Sequence, residues 1–286
     1  MSAFPFSKLD LQKLGAPTAI DEIAFDAILL EITDKFKADN PDLSAALDFE
    51  SDPITALLQA WAYREYLFRA YINNSLKAGM LAFSTGTNLD HLAALVPLQR
   101  LDGETDDDFR QRIQLAPEGF STAGPVGAYE FHARSVSGTI HDIYVETPTP
   151  GVVHVYVMED IAAAPISTEL IQDVGATLNQ DEIRPLTDQV QALPAELIDY
   201  NITADLTFGA GQDGAALLLS AEASLRTYTQ SRRKFGQDIS RSGLIAALHV
   251  GGVENVDLTA PATDVTLTPT QVALAGTLTI TEAVNA

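Results

Sequence analysis

Six residues, Gly209-Ala210-Gly211-Gln212-Asp213-Gly214, carry the spacing G-x-G-x-x-G between a stretch patterned as a strand and one patterned as a helix. In a dinucleotide-binding fold such a loop lets the backbone approach a pyrophosphate, which then sits on the helix N-terminus. Three features oppose that chemistry here. The strand before the loop alternates apolar and polar residues, whereas a strand opening a doubly wound sheet is buried on both faces. Asp213 would set a negative charge where the pyrophosphate belongs. No second parallel strand ending in an acidic residue follows, because the segment after the next helix is Phe235-Gly236-Gln237-Asp238. A flexible strand-to-helix turn is the plainer reading, and a nucleotide-dependent enzyme using Gly209–Gly214 is the distant alternative.

The remaining reactive side chains form no recognisable site. Five histidines raise the question of a metal, but none has H-E-x-x-H or comparable spacing. His141 and His154 fall on opposite faces of the hairpin described below. His132 reads as a packed, hydrogen-bonded residue rather than a base. The acidic run Glu104–Asp108 lacks the glycine-bent loop and alternating oxygens of a calcium site, and it suits a helix N-terminus better. Asp181-Glu182 is a second acidic cluster. A Ser-His-Asp triad need not be contiguous, yet no G-x-S-x-G elbow supports one. The sequence therefore assigns no catalytic, cofactor-binding or metal-binding residue, and a non-enzymatic protein without a cofactor is expected.

Composition narrows the class further. Seventeen basic against 39 acidic residues give a net charge of -22. Nucleic-acid binding needs clustered Lys and Arg, and the one basic knot, Arg232-Arg233-Lys234, reads as a solvated helix end. An acidic surface suits solubility before assembly, or basic partner proteins. There is no cysteine, hence no disulfide and no thiolate metal site. The first ten residues lack the basic and apolar regions of a signal peptide, and no apolar run reaches bilayer-spanning length. Direct membrane insertion is not expected.

Hydrophobic spacing places the elements. Residues 1–19, with Pro5, Gly15 and Pro17, read as an extended arm whose Phe4, Phe6, Leu9, Leu11 and Leu14 need cover from this chain or a neighbour. Ile20–Ala38 has helical spacing. Asp52-Pro53 caps a long helix expected to run to Ser84 and stop at Gly86. Its apolar stripe includes Leu57, Trp61, Phe68 and Ile72, so Trp61 is expected in the core, with its loss to Ala costing ~3–5 kcal/mol. Tyr63, Arg64, Tyr66 and Tyr71 are expected on the opposite side, as cover for the chain's own surface or as a partner contact. Thr105 caps a helix carrying Phe109, Ile113 and Ala116, and Thr122 caps another carrying Tyr129 and His132. A hairpin Ile140–Glu146/Val152–Met158, drawn with Glu146 opposite Val152, puts Ile143, Val145, Val153, Val155 and Val157 on one face. After a further helix, Ile198–Phe208 alternates as a long strand with one buried and one wet face. Helices at Ala215–Lys234 and from Ser240 to His249 follow, then strands near Val253–Leu258 and Leu274–Thr279. The fold class is α+β, a helical N-terminal region followed by two small mixed units. The expected segments are 1–49 (arm and helix), 50–135 (helical, with the long helix), 136–195 and 196–286 (the two α+β units).

A set of these residues also resembles a known family. Glu50-Ser51-Asp52-Pro53, L-L-Q-A-W-A-Y-R-E at Leu57–Glu65, Arg69-Ala70, Ile72-Asn73, Met80-Leu81, Gly86 and Leu89-Asp90 come first. Arg100, Glu104, Phe109-Arg110, Arg112-Ile113, F-S-T-A-G-P at Phe120–Pro125, Tyr129 and His132-Ala133 continue the series. Pro150-Gly151 and R-P-L-T-D at Arg184–Asp188 complete it. In this order, from about Glu50 to Val253, the chain is similar to the baseplate J-like proteins of contractile phage tails. The resemblance implies a structural protein of the wedges that ring the central hub and rearrange when the sheath contracts. It implies other wedge proteins and copies of the chain itself as partners. It also implies synthesis in the bacterial cytoplasm followed by a place in the virion. The same role in a tailocin or other phage-derived injection machine is the alternative.

Overall fold

The computed structural model describes residues 9, 11–15, 24–49, 51–120, 125–159, 166–209 and 211–283. It divides into two compact units, Met1–Arg100 with Phe109–Gln114, and Leu101–Asp108 with Leu115–Ala286.

The first unit contains helices α1 (Phe25–Asp39), α2 (Pro53–Ala78) and α3 (Gly86–Ala93), and most of α4 (Asp106–Leu115). Asp52 starts α2 as its sequence requires: Oδ1 accepts from the Ile54 amide at 2.8 Å, and Pro53 supplies the preset first turn. The helix ends at Ala78, earlier than the expected Ser84. Beyond it the carbonyls of Leu81 and Ser84 accept from Arg110 Nε and Nη2, each at 2.8 Å. Those acceptors are drawn to α4 instead of continuing the helical ladder. Gly86, at φ +54°, opens α3 rather than closing α2. Leu89, Ala93, Phe109 and Ile113 form the small core, with Leu81, Val96 and Leu98 against it. Two guanidiniums stand over the Phe109 ring, Arg100 at 4.7 Å and Arg112 at 5.1 Å from its centroid. Arg112 also donates to the Gln99 carbonyl at 2.6 Å, and Arg100 Nε to Asp90 at 2.9 Å.

The second unit holds two three-stranded sheets. In the first, β1 (Ile140–Thr149) runs antiparallel to β2 (Val152–Glu159), and β3 (Gln189–Pro194) runs parallel to β2. Helices α5 (Val126–Arg134) and α6 (Thr168–Leu178) cover one face. Tyr129, Ala133, Leu170, Val174 and Leu178 meet Ile143, Val153, Val155 and Val157 there. The expected hairpin register is corrected by two residues, since Glu146 opposes His154 and Val152 opposes Thr149. A bulge between Glu146 and Thr149, and Gly151 at φ +84°, take up the difference. A shift of two preserves which side chains face the core, so the apolar face survives the change.

In the second sheet β4 (Glu196–Phe208) lies between antiparallel β5 (Val253–Ala260) and parallel β6 (Gln271–Glu282). Helices α7 (Gly214–Ser231) and α8 (Arg241–Leu248) cover one face, burying Tyr200, Ile202, Ala204 and Leu206. Asn201, Thr203, Asp205 and Thr207 alternate with them on the open face, as the strand pattern predicts. Helices first and mixed sheets after make the α+β class expected from the sequence.

Candidate interaction surface

Helix α2 is where the structure departs furthest from its sequence pattern. Successive side chains stand about 100° apart round a helix. The residue turned fully inward is Ala62, and not Trp61; α2 packs against α1, whose Ile28 is also buried. A methyl side chain lets the two helices approach closely, and Arg69 ties them further through Glu65 at 2.8 Å and Glu31 at 3.9 Å. The line Leu58–Ala62–Glu65–Arg69 therefore faces α1, and the expected apolar stripe is rotated outward by about a quarter turn. Trp61 is 64% exposed, Leu57 65%, Phe68 60% and Tyr71 70%. The expectation that Trp61 belongs to this chain's core is overturned, because no described part of the chain covers its side of the helix.

Leu57, Trp61, Arg64, Phe68 and Tyr71 follow one another at alternating steps of four and three, the spacing at which one helix face meets another. Arg64 is exposed and makes no hydrogen bond or ion pair with a described residue. Tyr63 is exposed on a different side and stacks on half-buried Tyr66, with ring centroids 6.4 Å apart. The four interface candidates on this helix thus do not form one patch. Phe4 and Phe6 lie outside the described residues, while Leu9 and Leu14 of the same arm are exposed. The exposure of Leu57, Leu67 and Phe68 was missed in the sequence, although one signal was present. The helix carries large apolar or aromatic residues on nearly every side, more than one neighbouring helix can cover.

The glycine-rich loop is occupied by its own acid. Asp213 Oδ1 accepts from the amides of Ala215 at 3.1 Å and Ala216 at 3.4 Å, the groups a phosphate would need. A Cβ built on Gly209 would stand 3.3 Å from Glu254 Oε1, and one on Gly214 2.9 Å from Glu282 Oε2. A phosphate here would face three carboxylates. Among the histidines, His141 Nδ1 stands 3.2 Å from Asp108 Oδ1 and His154 Nδ1 3.9 Å from Glu146 Oε1. His132 packs against Phe131, and burial holds its pKa below the usual histidine value. No group of three or more His, Asp or Glu suited to a metal occurs among the described residues.

Several motif residues prove to be fasteners. Thr105 Oγ1 accepts from the Asp108 amide at 3.2 Å and donates to Asp108 Oδ2 at 2.6 Å, closing the N-terminus of α4. The Tyr129 hydroxyl donates to Asp188 Oδ2 at 2.7 Å, joining two motif stretches distant in sequence. Burial, then the Asp188 carboxylate, raises the Tyr129 pKa. Buried Arg134 donates to the His141 carbonyl and to Asp142 Oδ1, both at 2.9 Å, with Glu130 at 3.7 Å.

These fasteners and the exposed helix fall within stretches shared with known proteins. The baseplate J-like N-terminal domain matches residues 50–105, the baseplate J-like central domain 121–194, and the baseplate J-like C-terminal domain 200–281. Baseplate protein J of Escherichia phage P2 is 35% identical over 283 residues, spanning 92% of this chain and 94% of that protein. A chain in the 6-fold symmetrised cryo-EM structure of the anti-feeding prophage baseplate aligns at 18% identity and a TM-score of 0.44. That alignment covers 60% of this chain and 42% of the other. On the near-full-length identity and the three ordered matches, the chain belongs to the baseplate J-like family.

Proposed function

We propose that this protein is a structural component of a contractile tail baseplate, where it joins the wedges around the central hub. The observation that carries the reading is 35% identity to Baseplate protein J over nearly the whole of both chains. Its place is then the tail of the virion. The exposed line Leu57–Trp61–Arg64–Phe68–Tyr71 supports α2 as a surface on which another subunit's helix packs. Copies of the chain itself and other wedge proteins are the expected neighbours. A net charge of -22 opposes tight self-association, so free copies are expected to associate only weakly until partners cover them.

The test is to purify tail particles from cells expressing a tagged chain and to locate the tag. The tag should appear at the baseplate end; recovery of the chain only outside tail particles would sink the reading. Titration with NAD and ATP, followed by thermal unfolding, tests the Gly209–Gly214 alternative. A ligand that binds the native state must raise its melting temperature, and no rise is expected.

A further inference from the structure

Among the described residues strand β6 pairs with another strand on one side only, with β4, and so forms an edge of the second sheet. Its first half is covered where the Gly236 amide donates to the Gln271 carbonyl and Val272 packs with Met158 and Ala195. A register shift opposite Asn201 then separates that half from Leu278–Glu282. In this last stretch Leu278 and Ile280 are half-buried toward the helices, and Thr279 and Thr281 are exposed on the open face.

Edge strands of soluble proteins are normally blunted by charge, proline or extreme shortness. The other three edges here are blunted in that way. β5 carries Glu254 and Asp257 and runs into Pro261, β3 is six residues long and ends at Pro194, and β1 carries Asp142 and Glu146. β6 carries a bulge at its middle and one charge, Glu282, at its end, but between them Leu278–Thr281 has no such guard. From Val265 to Thr281 the chain has no Asp, Glu, Lys or Arg, and Pro269 lies before the strand begins.

We infer that Leu278–Thr281 is a self-pairing edge, to which the same strand of a second copy adds antiparallel about a two-fold axis. The inference rests on the proposal that copies of the chain meet in the baseplate. Charge selects the occupant. Two copies, each at net charge -22, repel over most of their surfaces. Pairing through β5 would bring Glu254 and Asp257 against their counterparts, whereas pairing through Leu278–Thr281 brings no charge together. Antiparallel addition sets threonine beside threonine on the open face, a favourable cross-strand pair. It also extends the helix-covered layer, so Leu278 and Ile280 gain cover from the second copy. A two-fold contact of this kind is closed and does not propagate into a fibre.

Three measurements on the full-length chain test this. Sedimentation velocity across a wide concentration range should show a monomer–dimer equilibrium. Hydrogen exchange over Leu278–Glu282 should slow as the dimer fills. The double variant Thr279→Lys/Thr281→Lys places like charges opposite each other and should weaken dimerisation by about tenfold or more. Its melting temperature should change little, since both side chains are exposed and Thr281→Lys exchanges the hydroxyl's hydrogen bond to Asp205 for an ion pair with the same carboxylate. Thr259→Lys on the β5 edge is the control and should leave dimerisation intact. A chain that stays monomeric throughout, a dimer without protection at Leu278–Glu282, or a double variant that dimerises normally would overturn the inference. Tail particles that carry the double variant at wild-type copy number with an intact ring would do the same while leaving the baseplate reading standing. Absence of the wild-type chain from tail particles would instead defeat that reading.

Discussion

Replacing Trp61 with alanine separates folding from assembly. An indole taken fully out of water loses roughly 150–250 Å² of accessible surface. With 64% of Trp61 exposed, the chain itself covers about a third of this. At about 25 cal/mol/Å² that cover contributes ~1–2 kcal/mol to folding. The uncovered part, ~95–160 Å², would contribute ~2.5–4 kcal/mol if a partner buried it completely. Trp61→Ala should therefore lower the stability of the isolated chain by ~1–2 kcal/mol, well short of the ~3–5 kcal/mol of a core cavity. Its larger effect should fall on association, of the order of 2 kcal/mol or more, as for a buried aromatic anchor. Denaturant unfolding of the isolated chain gives the first number, and titration of baseplate partners against wild type and variant gives the second. A variant that loses ~3–5 kcal/mol of folding stability but binds partners normally would refute the argument. Trp61 would then belong to this chain's own core.

Three further outcomes follow from other parts of the chain. Tyr63→Ala and Arg64→Ala should melt as wild type does, yet weaken capture of wedge partners by of the order of 1–2 kcal/mol. If both assemble at wild-type affinity, those two residues are solvated surface. Deleting residues 1–14 should leave the melting temperature nearly unchanged and impair assembly in a particle-reconstitution assay. A large fall in melting temperature would assign the arm to the chain's own core. Arg134→Ala leaves Glu130 and Asp142 without their buried cation and should cost about 3–5 kcal/mol in denaturant unfolding. A cost below ~1 kcal/mol, the range of exposed pairs, would show that water reaches this network.

The sequence was most readable where one element meets one environment. β4 alternates because one of its faces is covered by α7 and α8 and the other is open, and two-residue periodicity reports that directly. The Asp52 and Ser240 caps were legible because each acts within three residues of itself. Trp61 shows where such reading ends. A helical stripe has the same pattern whether its cover comes from the same chain or another, so periodicity located the apolar residues of α2 but not their neighbour. The end of α2 was hidden for a different reason: Arg110 reaches carbonyls 29 and 26 residues away, and no local pattern records that. The hairpin register was misjudged by two because a bulge changes the count without changing the alternation. Of the candidate surface, the residue types were evident, while their division between two sides of one helix required the packing of α1 on α2.

The first unit is not continuous along the chain, and this bears on how it is made. Phe109 and Ile113 complete its core, yet they follow Leu101–Asp108, which belongs to the other unit. Ribosomal synthesis delivers residues in order, and domains generally fold as they emerge. Here Leu89 and Ala93 must wait for residues that come after a stretch committed elsewhere. A fragment cut at residue 105, where the N-terminal family match ends, lacks the Phe109 ring and the arginines that hold the Leu81 and Gln99 carbonyls. Such a fragment should expose Leu89 and aggregate. One extended through Gln114 carries every residue of that core, so the smallest piece able to fold reaches past the boundary that sequence similarity draws.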